Sequence, residues 1–201
     1  STQTGTIDAR VTPGQLARLD NDRVADRGDN IVKVTDAKGT PLPFTINKTM
    51  MRVDLPQPLA SGASYVFNVE WWYNINDRMK EGGRSGYEYF PKDSNYLYAI
   101  AQFFPRMCVY DDINGWQHKQ FLGSGEFTLV FGDYDVKITV PSDHAVAATG
   151  LLQNAKEVLT KAQMDRYAQA QKSYQEPVKI ITNEEALKNE SSRATNEKTW
   201  H

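Results

Sequence analysis

The strongest constraint on the fold is one run of the chain, Tyr65 to Ile75 (YVFNVEWWYNI). Tyr65, Phe67, Val69, Trp71, Tyr73 and Ile75 fall on alternate positions, and Asn68, Glu70 and Asn74 fall between them. A helix would scatter those aromatic side chains around its axis, whereas a strand gathers them into one row on a single face. Burying that row would contribute roughly 1.5–3 kcal/mol per side chain, enough to make it the spine of a sheet.

Around this spine the sequence reads as short β-like runs divided by turn residues. Ile31 to Thr35 closes at Ala37-Lys38-Gly39-Thr40, where Gly39 is free to take a positive φ. Phe44 to Asn47 and Met50 to Leu55 follow. In the second, Met51, Val53 and Leu55 alternate with Arg52 and Asp54 before Pro56 and Pro58 end it. Tyr87 to Phe90 and Asn95 to Phe104 read as further strands. Phe127 to Phe131 and Val136 to Pro141 read as a hairpin turning through Gly132-Asp133-Tyr134-Asp135. Gly5 to Val11, Ala145 to Thr149 and Val178 to Thr182 read as short strands, and Asp20 to Asn30 and the charged, glycine-rich Asp77 to Gly86 as loops.

After Gly150 the character turns helical. Thr160-Lys161-Ala162-Gln163 fits a capping box opening a surface helix toward Lys172, with Asn154 a competing start. Thr182-Asn183-Glu184-Glu185 is a second box, opening a helix to about Glu190. Ser191 to Lys198 reads as polar and flexible. The expected fold is therefore mainly β: an antiparallel sandwich or saddle-like sheet domain over residues 1–150, with a helical extension over 151–201.

Composition excludes several function classes. With 23 basic and 25 acidic residues among 201, the net charge of −2 supplies no field for nucleic acid or an anionic membrane. No apolar run is long enough to span a bilayer. A single cysteine, Cys108, rules out an internal disulfide and a cysteine-based zinc site, and its neighbours Met107, Val109 and Tyr110 suit a buried, inert thiol. Lone thiols occur in cytosolic and exported proteins alike, which leaves the compartment open.

Catalytic constellations are missing as well. His118, His144 and His201 are far apart, with no H-E-x-x-H to put two ligands on one helical face. Gly123-Ser124-Gly125 lacks the spacing of a nucleophile elbow, and Gly82-Gly83-Arg84-Ser85-Gly86 lacks the lysine and following helix of a phosphate loop. Adjacent carboxylates on a strand point to opposite faces, so Asp111-Asp112 reads as a turn with capping or salt-bridge roles. Trp72 and Trp116 remain candidates for an exposed aromatic platform. No catalytic residue and no metal ligand is assigned.

One series of segments resembles a known family. It runs from Phe103-Phe104-Pro105-Arg106-Met107-Cys108-Val109-Tyr110-Asp111-Asp112 through Gly115-Trp116, Gly125-Glu126-Phe127 and Phe131-Gly132-Asp133-Tyr134-Asp135-Val136. It continues through Val140-Pro141 to Ala147-Ala148-Thr149-Gly150. Upstream, Pro58-Leu59 with Gly62 and the aromatic strand fit the same pattern, and Thr199-Trp200-His201 resembles a lead-in to a following domain. Together these resemble the N-terminal domain of aminopeptidase N-type zinc peptidases of a bacterial branch.

The resemblance implies a saddle-shaped β domain, without catalytic residues, that walls the cleft of an adjacent catalytic domain. That domain would carry the zinc and lie beyond His201, and the first strands of the β domain would precede Ser1. Implied partners are the protein's own catalytic domain and a peptide substrate, with no cofactor in this segment and a periplasmic or extracellular setting for the parent. Relatives lend a glutamine or glutamate that grips the substrate's amino group. The matching stretch here, Asn95 to Gln102, departs from their pattern, and Gln102 is the amide nearest the right place. The alternative is a stand-alone β-sandwich that binds carbohydrate or protein through exposed aromatics.

Overall fold

The computed structural model describes residues 12–14, 17, 28–120 and 130–201. The chain is built of small antiparallel sheets with a few helices, strand outweighing helix. It forms two compact units, Ser1–Glu88 with Tyr98–Phe131, and Tyr89–Leu97 with Gly132–His201.

In the first unit, β1 (Asn30–Asp36) pairs antiparallel with β4 (Phe67–Trp72). Burial alternates along β4 as the sequence demands: Phe67, Val69 and Trp71 are half-buried, while Asn68, Glu70 and Trp72 are exposed. The ladder is shorter than the aromatic run, because pairing with β1 ends at Trp72 and Tyr73 to Asn76 lie in no strand. A bulge between Ile31 and Lys33 inserts Val32 and resets the register, so that Val34 opposes Val69. Val34 is buried, with Leu42 close by through its N–H bond to the Val34 carbonyl at 2.9 Å.

β2 (Phe44–Asn47) and β3 (Met50–Val53) form a tight hairpin whose two-residue turn places Lys48 at φ 56°. The Gln120 amide fastens this turn, accepting from the Thr49 N–H at 2.9 Å and donating to the Asn47 carbonyl at 2.8 Å. The expected loop from Asp77 to Gly86 contains a short helix, α1 (Arg78–Glu81), capped by the Asp77 carboxylate. β5 (Gly86–Phe90) pairs with β6 (Asn95–Ala99), and β7 (Tyr110–Asp111) with β8 (Gly115–Trp116).

In the second unit, β9 (Ile138–Pro141) pairs antiparallel with β10 (Glu197–Trp200), Ile138 opposite Trp200. This corrects the expected partner of β9. Within the expected hairpin, residues 127–129 lie outside the described residues, and Phe131 is exposed and in no strand. It also corrects the expected flexible tail, whose last residues are a paired strand. The signal was weak because Trp200 is the only bulky apolar residue in β10. Its burial beside Val158 forms the core of this unit.

Both capping boxes are present. Thr160 opens α3 (Lys161–Ala170) and Thr182 opens α4 (Asn183–Glu190), each exchanging side-chain and backbone bonds with Gln163 or Glu185. Asn154 also starts a short helix, α2 (Ala155–Val158), but its amide is spent on the Thr199 carbonyl and the His201 N–H. Arg166 of α3 donates to both carboxylate oxygens of Glu185 at 2.6 Å, joining α3 to α4. Ala145 to Thr149 and Val178 to Thr182 are not strands, since neither run finds a ladder partner despite its β-branched residues. The expected strand at Gly5 to Val11 and most of the Asp20 to Asn30 loop lie outside the described residues.

Candidate functional site

A cavity of about 310 Å³ lies in the first unit, at the small end of the range typical of ligand pockets. Four pieces of chain meet there: Gly28 and Asp29 ahead of β1, Tyr73 to Asn76 after β4, Ser85 and Gly86 at the head of β5, and Ala99 to Phe103 after β6.

Each wall has a local cause. Asp77 accepts from the Met79 N–H at 3.0 Å and turns the chain away from the strand direction. The return is fixed at Gly86, whose φ is 139°. A Cβ there would stand 2.5 Å from the Asn76 carbonyl oxygen, so only glycine allows this approach. The Tyr87 N–H then bonds the Asn76 carbonyl at 2.8 Å, and Arg78 pairs with Glu88 at 3.2 Å.

Gln102, the substrate-binding candidate from sequence, lines this cavity. Its backbone is left-handed at φ 54°, a conformation that costs a non-glycine residue energy and persists only where neighbours impose it. The neighbours on both sides are held. Ser85 Oγ donates to the Ala101 carbonyl and accepts from the Ala101 N–H, both at 3.1 Å. The Trp71 indole N–H donates to the Phe103 carbonyl at 3.2 Å. Trp71, expected as a core residue alone, therefore also anchors the segment carrying Gln102.

Asp29, Tyr73, Asn74, Asn76 and Ser85 are the other polar residues of the lining, and the sequence singled out none of them for chemistry. Asp29 sits at the end of a run read as a charged loop, and Tyr73 in a row read as core. Burial pushes the Asp29 carboxyl above the ordinary carboxylate range. Burial, then the Asp29 charge, pushes the Tyr73 phenol upward, so the two lie within each other's field. The side chains of Asp29, Tyr73 and Gln102 form no hydrogen bond or ion pair with any described residue.

A second hollow, about 350 Å³, lies along the β1–β4 sheet. There Lys33 and Glu70 pair with each other at 2.8 Å and answer one another's charge.

The remaining candidates are engaged locally. His118 Nδ1 lies 2.7 Å from the Trp116 carbonyl, His144 Nδ1 3.0 Å from Asp143, and His201 Nε2 3.1 Å from Asp135. Among the described residues no three His, Cys, Asp or Glu side chains converge as metal ligands. Cys108 is half-buried, its Sγ 3.8 Å from Met50 Sδ. Asp111 organises a turn, accepting from the N–H groups of Ile113 at 3.0 Å and Asn114 at 2.6 Å. Those bonds hold its carboxyl below the ordinary range, the Asn114 N–H contributing most. The turn presents Tyr110 and Trp116 edge to face, both exposed, their ring centres 5.2 Å apart. Trp72 is exposed on β4. No described helix is long and apolar enough to cross a membrane.

No family model matches the chain, and no curated protein or solved structure is significantly similar to it.

Proposed function

We propose that this chain is the N-terminal, non-catalytic domain of a zinc-dependent aminopeptidase, walling the cleft in which a neighbouring catalytic domain hydrolyses peptides from the amino terminus. In this reading the small sheets belong to a saddle- or sandwich-like β domain, the zinc is held by the catalytic domain, and the parent works in the periplasm or outside the cell. The observation carrying it is the placement of Gln102. The residue directly ahead of the Phe103 to Asp112 segment is locked in a strained conformation at a cavity wall, its amide unspent.

An exopeptidase needs a closed end to its site and a group there that recognises the free terminus. The Gln102 carbonyl oxygen accepts a hydrogen bond from the substrate's amino group, and the wall behind it stops a longer chain from sliding past. Because Gln102 touches substrate away from the scissile bond, its contribution is to binding. In the full-length protein, Gln102→Ala is expected to raise KM for an aminoacyl amide about tenfold, with kcat little changed. An unchanged KM would dispose of the role.

A further inference from the structure

We infer that α4 is a strap: it opens as one piece, pivoting where Ala194 is anchored, while β9, β10 and the core beside them stay folded. Every residue of this device lies in the second unit.

Packing does little to hold the helix. None of its residues is buried, Leu187 is exposed, and Glu185 and Ala186 are only half-buried. Isolated helices shorter than about 12–15 residues are marginal in water, so a helix of 8 residues depends on what its ends touch. Those contacts are polar. At the start, the Glu185 carboxylate accepts from Arg166 Nη2 at 2.6 Å and from the Thr182 N–H at 2.8 Å, and the Gln163 side chain bonds it as well. One carboxylate thus closes the capping box of α4 and fastens α4 to α3. At the far end, Asn95 Nδ2 donates to the Glu190 carbonyl at 3.2 Å. Arg193 Nη1 reaches the same carbonyl at 2.8 Å, and its Nη2 reaches the Ser94 carbonyl at 3.2 Å.

The clamp on α3 is incompletely satisfied. Both Glu185 oxygens sit on Nη2, and Arg166 Nε is buried with no hydrogen-bond partner among the described residues. A side-on fork would have used both nitrogens, and the unpaired donor offsets part of what the ion pair contributes. The flanks differ sharply. Residues 171–181 ahead of the helix lie in no helix or strand, and Tyr174 there is almost wholly exposed. Behind it the chain is fixed, by Asp143 accepting from the Ala194 N–H at 2.7 Å and by the Ser142 N–H on the Asn196 carbonyl at 2.9 Å. Opening therefore exchanges a few polar contacts for water and exposes no apolar core residue. It uncovers Arg166 and Gln163, the latter buried while the strap is closed.

Amide hydrogen exchange followed by NMR on the whole chain tests this. In the unaltered protein, the amides of Ala186 to Glu190 are expected to exchange at least about tenfold faster than the paired amides of β9 and β10. Glu185→Gln keeps a side chain that can close the capping box and removes the charge facing Arg166. It is expected to speed exchange in α4 about tenfold further, with β9 and β10 unchanged, and Arg166→Ala to do the same. Equal exchange in α4 and β10 of the unaltered protein would make them one cooperative unit and overturn the strap. A Glu185→Gln protein whose α4 is as protected as before, or whose β10 loosens along with it, would overturn it too. Should Arg166→Ala fail to fold, Glu185→Gln, which keeps the side chain's shape, decides alone.

Discussion

Gln102 carries strain that a simpler residue would relieve. At φ 54° its Cβ crowds the backbone, and glycine would not. Gln102→Gly is expected to gain about 0.5 to 1 kcal/mol of stability in a urea titration, the relief exceeding glycine's entropy cost, while losing the amide from the cavity. Loss of stability instead would mean that the side chain holds the loop. Reading the residue from sequence worked only in part. Its amide type and position ahead of Phe103 were visible, whereas the left-handed backbone and the clamps from Ser85 and Trp71 were not. Those clamps join residues 16 and 32 positions apart, beyond any local pattern. Asp29 was invisible for the same reason, since its surroundings come from three other stretches of chain.

At the scale of elements, the legible parts are those whose rule is short. Side-chain alternation in β4 repeats every second residue, and a capping box closes over three, so both were fully specified within a few positions. The β9–β10 pair obeys no such rule. Thr139 and Thr199 share a hydroxyl bond at 2.8 Å across 60 residues, and Asp143 accepts from the Ala194 N–H at 2.7 Å from a similar distance along the chain. The pair is secured by Trp200, buried with Lys198 over its ring at 4.8 Å. Trp200→Ala is expected to cost about 3–5 kcal/mol by urea denaturation, because it empties the small core it shares with Val158. A cost near zero would show that β10 is not a structural strand.

For the molecule as a whole, three carboxylates tie distant or turning segments together. Asp143 is held below its ordinary value first by the Ala194 N–H, Asp111 first by the Asn114 N–H, and Glu185 first by Arg166. A carboxyl whose folded value is depressed adds stability that is fully present above its unfolded value of about 4 and is lost as pH falls through the folded value. Asp29, shifted upward, works in the opposite sense: its charge opposes folding at neutral pH, and protonation relieves this as pH falls. Asp36, Asp77 and Glu184 are depressed as well, so with six described carboxyls against one, melting temperature is expected to hold from pH 7 to about 5 and fall steeply below about 4, less so in Asp143→Asn. A flat profile down to pH 2.5 would contradict this.

By itself the sequence determined the β-rich character, the alternating spine and the two capped helices, because each follows from neighbours a few bonds apart. Tertiary structure alone decided which strand closes the second unit and which polar side chains share a cavity. Those outcomes turn on contacts between segments far apart in the chain, where no periodicity records the partner and burial and charge balance select it.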